Sequence, residues 1–69
     1  MVHERVKEHV RRMEVKQSWL ARRMNLTEGA LSLMLAGKRK ITADELERIC
    51  AILCVSADLF IKPDELLGA

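Results

Sequence analysis

Sixty-nine residues with two cysteines and a net charge of +2 bound the chain to one small domain, whose core removes only about 60% of the unfolded surface from water. The charged N-terminus MVHERVKEHV lacks the apolar stretch of a secretory leader. The longest apolar run, Ile49 to Val55, is far shorter than the roughly 20 residues a membrane span needs.

The elements follow in chain order. Val2, Val6, Val10 and Met13 recur at helical spacing and predict a first helix with one buried stripe. Ser18 to Met24 predict a second, burying Leu20, Ala21 and Met24. Asn25 follows, and Asn tolerates the left-handed conformation that ends many helices. Thr27 is the expected cap of a third helix, with Leu31 and Met34 inward and Ala30 small enough for close approach. Gly29 inside it costs roughly 1 kcal/mol relative to Ala, and Gly37 ends it. Thr42-Ala43-Asp44-Glu45 fits a capping box. The fourth helix that it opens turns Leu46, Ile49, Cys50 and Leu53 inward. Ser56 caps a short fifth helix, Ala57 to Ile61, which Pro63 cannot continue, and residues 62–69 are expected to form a flexible tail. No strand-period segment interrupts this series. The expected fold is all-α, a compact five-helix bundle forming a single domain over residues 1–69.

The second and third helices are joined by a tight turn, and Lys38, Arg39 and Lys40 follow the third at once. This is the pattern of a helix-turn-helix, which presents its second helix to the DNA major groove. Charge is also uneven. Residues 1–40 hold ten Lys/Arg against four acids, a balance of +6, whereas residues 41–69 hold two against six, a balance of −4. A basic N-terminal side points to a polyanion.

Gln17, Leu20-Ala21, Leu26-Thr27, Leu31-Ser32 and Gly37-Lys38-Arg39 stand in a characteristic order and spacing. The segment Leu46 to Leu53 and the run Val55-Ser56-Ala57-Asp58-Leu59-Phe60 complete the series. Over roughly residues 10 to 61 the chain resembles the lambda-repressor-like family of Cro/repressor (XRE-type) regulators. The resemblance implies a bundle of five helices that binds palindromic operators as a dimer. It implies base contacts from Gln17, Glu28, Gly29, Ser32 and Leu33, and phosphate contacts from Ser18, Thr27, Lys38, Arg39 and Lys40.

Three departures stand out. Arg, Asn and Gln make the bidentate base contacts that discriminate by about 1–3 kcal/mol each, yet the outward face of the third helix offers Glu28, Gly29, Ser32 and Leu33. Direct readout is therefore expected to be thin, with DNA shape carrying part of any specificity. Leu35 stands where relatives place an acid that pairs with a base of the first helix. Val10 is its expected partner, an apolar pair extending the core. Cys54 replaces the glycine that relatives place after the fourth helix. The steric cost of a left-handed cysteine suggests a different ending there.

The function expected is a sequence-specific DNA-binding transcriptional regulator, a phage or bacterial repressor. The alternative is a protein-binding module, antirepressor or antitoxin-like, that uses the apolar face of the third helix. An enzyme is not expected, because there is no catalytic set and little room for a substrate pocket. No cofactor, small-molecule ligand, metal or membrane partner is expected. His3 and His9 read as surface residues, Cys50 and Cys54 as buried reduced thiols, and the location as cytoplasmic. A small core gains from a second subunit, and Val55, Phe60 and Ile61 are the candidates for a homodimer interface, with Leu59 the best candidate for the chain's own core. Trp19 reads as a partly buried ring covering the core near the first helix.

Overall fold

The computed structural model describes residues 2–61. Four α-helices run in order: α1 Val2–Arg12, α2 Gln17–Arg23, α3 Glu28–Leu35 and α4 Ala43–Leu53, followed by a single 3₁₀ turn, Ala57–Leu59. The described residues contain no strand. The expected fifth helix is therefore only this turn. Ser56 caps it, accepting from the Asp58 amide at 3.3 Å. Its amides reach back mainly three residues, Leu59 to Ser56 and Phe60 to Ala57, too short a run to wind further. The expected tail at 62–69 lies outside the described residues.

Helices of seven to eleven residues are marginal in isolation, so packing must hold them. The core joins Val6 and Val10 of α1, Leu20, Ala21 and Met24 around α2, and Leu31, Met34 and Leu35 of α3. Leu46, Ile49 and Cys50 of α4 and Phe60 complete it. The α1 stripe is as expected up to Val10, but Met13 is 61% exposed because α1 stops at Arg12. Leu35 and Val10 are both buried, as the replacement of an ion pair by an apolar pair requires.

All four helices close in the same way. A residue one or two positions past each helix, Glu14, Asn25, Gly37 or Cys54, has positive φ (57°, 60°, 78° and 58°). Its amide donates three residues back, and the next amide donates five back: Val15 to Val10, Leu26 to Ala21, Lys38 to Leu33 and Val55 to Cys50, at 2.8–3.0 Å. This is the Schellman closure, which satisfies carbonyls that a helix end leaves orphaned. Cys54 adopts it in spite of its side chain, so α4 ends as it would with glycine, at a cost of about 1–2 kcal/mol. In three of the four closures the residue after the left-handed one is apolar and packs on the core, namely Val15, Leu26 and Val55. In the fourth it is Lys38, which is exposed.

Within the C-terminal turn, the expected burial is inverted. Phe60 is fully buried and Leu59 is 47% exposed. The turn places Phe60 beneath α1, where the edge of the His9 ring meets it at 5.7 Å between centroids. The Arg5 guanidinium fastens the same residue from above, Nη1 donating to the Phe60 carbonyl at 2.8 Å. Phe60 thus belongs to the core rather than to a dimer surface, and His9 is half-buried rather than a surface residue. Cys54, expected to be buried, is exposed, whereas Cys50 is buried, and burial pushes the Cys50 thiol up from its ordinary pKa.

Truncating Phe60 to Ala should cost about 3–5 kcal/mol, enough to unfold a domain this small. Phe60→Leu should fold with reduced stability. Leu59→Ala should stay within about 0.5 kcal/mol of the parent. Urea denaturation followed by circular dichroism distinguishes the two positions.

Candidate nucleic-acid interface

The two helices of the motif meet at a turn built from backbone alone. Asn25 reverses the chain at the end of α2, and Leu26 plugs into the core behind it. Thr27 then opens α3 in extended conformation, its hydroxyl oxygen accepting from the Ala30 amide at 3.1 Å. That bond satisfies one of the free donors of the first turn. Between the helices lies an open depression of about 460 Å³ bordered by Ser18, Arg22, Asn25, Thr27 and Glu28. The expected phosphate contacts Ser18 and Thr27 are thus brought to one edge beside Glu28, at the N-terminal end of α3, where free amides and the helix dipole favour an anion.

The outward face of α3 carries the expected base-contacting residues. Glu28, Gly29, Ser32 and Leu33 are all exposed, while Leu31, Met34 and Leu35 point inward. A Cβ added at Gly29 would meet nothing within 4 Å. No packing among the described residues therefore explains the glycine, and its effect is to leave the first turn of the face bare. Leu33 is 49% exposed, an apolar group standing free on a surface otherwise polar. Gln17 is the first residue of α2 and is exposed.

Beyond α3, the three basic residues divide. Lys38 and Lys40 are exposed. Arg39 is half-buried, with Nη2 placed 2.9 Å from Glu45 Oε2. Glu45 is itself fixed. Its Oε1 accepts from the Thr42 amide at 3.0 Å, while the Thr42 hydroxyl oxygen accepts from the Glu45 amide at 3.1 Å. This is the expected capping box at the start of α4. Before this loop, Gly37 at φ 78° lies directly under the His3 ring, where an added Cβ would collide with the ring. Glycine here satisfies both the left-handed conformation and the close approach. His3, Gly37, Arg39, Ile41 and Leu46 border an open groove of about 700 Å³ that runs on to Ile61.

Trp19 projects from the side of α2, 41% exposed, with the Arg23 guanidinium 5.2 Å from its ring centroid. The pair is an exposed cation–π contact one helical turn long. Arg22 and Arg23 are both exposed. Neither Arg5 nor the placement of His3 over Gly37 was evident from sequence. A charged residue beside Val6 gives no periodic signal that it will hold a carbonyl more than fifty residues away.

The Glu45 carboxyl is held below the usual glutamate pKa, chiefly by the Thr42 amide, with Arg39 adding to it and partial burial opposing. A depressed acid stabilises the fold fully above its unfolded pKa, near 4.3. That contribution is lost as pH falls through the lower folded value. Glu45→Gln keeps the acceptor of the capping box but not the charge. Wild type should therefore exceed it in urea midpoint near neutral pH, and the gap should close as pH falls below about 4.3. A gap independent of pH would contradict this account.

The profile of a family described as the Cro/C1-type HTH DNA-binding domain matches residues 5–68. No curated protein and no solved structure matches the chain.

Proposed function

Because the chain belongs to the Cro/C1-type helix-turn-helix DNA-binding family, we propose that it is a sequence-specific repressor that lays α3 in the major groove of a palindromic operator. The observation that carries this reading is the outward face of α3, bare at Gly29 in its anion-favouring first turn and followed past its end by the exposed Lys38 and Lys40. A duplex can approach such a face closely. In this reading Ser18, Thr27, Lys38 and Lys40, all exposed, contact its phosphates, and Gln17, exposed at the start of α2, contacts a base.

Readout on this face is sparse. Glu28 can accept from a cytosine amino group, and Leu33 can pack on a thymine methyl. Ser32 can donate or accept, and Gly29 reads nothing. Specificity then depends in part on how the sequence shapes and bends the groove. Such a regulator acts in the compartment that holds the DNA, which for a bacterial or phage protein is the cytoplasm.

A homodimer fits this reading, with its surface revised by the burial pattern. Leu59 is exposed, and Val55 and Ile61 are half-buried at the same end of the chain, whereas Phe60 is enclosed. A two-fold dimer through Leu59, Val55 and Ile61 would set two copies of α3 about 34 Å apart, one turn of DNA. The second reading, a protein-binding module, is favoured by one observation, the exposed Leu33 on the face that would otherwise read bases.

Binding to the DNA upstream of its own gene, followed by fluorescence anisotropy, separates these readings. Affinity should fall about 10³-fold or more between 50 and 200 mM salt if six or more phosphates are engaged. An apolar protein contact would respond little. Absence of DNA binding even at low salt would remove the repressor reading. Sedimentation at high micromolar protein should show a dimer that Leu59→Asp converts to monomer. A monomer mass independent of concentration would count against the dimer.

A further inference from the structure

We propose that Arg39 is not a phosphate contact but the positioning residue that braces the exit of α3, so that Lys38 and Lys40 on either side of it meet the DNA backbone. This rests on the DNA-docking reading above.

At the ends of α1, α2 and α4 the chain leaves through a left-handed residue and is then pinned by a half-buried apolar side chain packed against the core, Val15, Leu26 or Val55. At the end of α3 that position is Lys38, and its side chain is exposed. The loop that should grip DNA has therefore given up the anchor that steadies the other three exits. A lysine freed in this way can reach a phosphate, but the backbone carrying it needs another hold.

Arg39 provides that hold from the next position. Its Nη2 pairs with Glu45 Oε2 at 2.9 Å, and Glu45 is fixed to the start of α4 by the Thr42 amide. Its Nη1 is closed off from solvent and makes no hydrogen bond among the described residues. Nη2 is thus engaged by Glu45 and Nη1 is closed off from solvent, so neither terminal nitrogen is presented freely to an outside phosphate, although the side chain as a whole is 37% exposed. The planar fork suits this role. A lysine would offer one point charge without the fixed geometry. The neighbours on both sides, Lys38 and Lys40, are exposed and make no ion pair among the described residues. Within the basic run the three residues thus alternate between outward and inward, which matches a brace between two contacts.

The test compares the salt dependence of DNA binding, measured by anisotropy on a duplex of mixed sequence and on any operator recovered from a random pool. Arg39→Gln combined with Glu45→Gln replaces the ion pair by two amides and leaves net charge unchanged. The brace predicts that this double variant stays folded and binds about 3- to 10-fold more weakly, the cost of ordering a loop on binding. Its slope of log affinity against log salt should equal that of wild type. Lys38→Ala and Lys40→Ala should instead each flatten the slope by about 0.9, one phosphate apiece. The cost of Lys38→Ala should shrink in the unbraced background, which a merely stabilising role of Arg39 would not cause. Should the double variant fail to fold, Arg39→Lys keeps the charge and loses the fork. The brace predicts weaker binding at unchanged slope, whereas a phosphate contact predicts near wild-type affinity.

A slope flattened by about 0.9 in the double variant would make Arg39 a phosphate contact and overturn the proposal, leaving DNA docking intact. Unchanged affinity with unchanged slope would overturn it as well. No binding by wild type would remove both readings together.

Discussion

The structure depends on how abruptly its helices can stop. Four helices of seven to eleven residues surround a core formed by twelve buried side chains, and none has the length to hold itself together in water. Each must end at a set residue and send the chain back across the core. The left-handed closure does this within two residues, and it satisfies two orphan carbonyls as it does so. At three of the four ends the following apolar residue then packs, half-buried, against the core. Glu14, Asn25 and Cys54 accept a conformation that disfavours side chains, because a gentler exit would carry Val15, Leu26 and Val55 away from the core. Local strain at three positions is thus exchanged for burial at the next three.

The same constraint explains how much could be read from the sequence. The apolar spacing of Val6 and Val10, of Leu20, Ala21 and Met24, and of Leu31 and Met34 marks the helices and their inner faces. The caps at Thr27, Thr42 and Ser56 are visible because Ser and Thr before a helical run have few other uses there. Asn25 and Gly37 announce their left-handed turns by residue type. Glu14 and Cys54 do not, since neither residue is favoured there and only the packing of the next valine requires it. Leu59 ends a three-residue turn and Phe60 follows it, too short a run for periodicity to tell inside from outside. The hold that Arg5 and His9 place on Phe60 joins the two ends of the described chain, which no local pattern reveals.

The candidate interface combines a legible part with an illegible one. The turn, the cap and the basic run follow from residue types at known spacing. The division of labour within Lys38, Arg39 and Lys40 does not, because three adjacent cations look alike until the partner of one is seen. Glu45 serves two tasks at once, completing the cap of α4 and holding Arg39. The start of α4 therefore helps to shape the loop that leaves α3. An exposed Leu33 and a bare Gly29 on the reading face leave α3 better suited to a close fit than to a dense set of hydrogen bonds. Fit of that kind selects by shape, and shape varies more gradually with sequence than does a bidentate contact.

The contact of His3 with Gly37 has a practical side. The third residue of the chain rests on the turn that leads into the exposed Lys38 and Lys40. Whatever is fused ahead of α1, an affinity tag or a fluorescent reporter, is attached two residues from that turn. Its bulk would bear on nucleic-acid affinity without touching α3. For handling and labelling, the exposed thiol of Cys54 at the far end of α4, with Cys50 buried one turn before it, is the attachment point that leaves the docking face undisturbed.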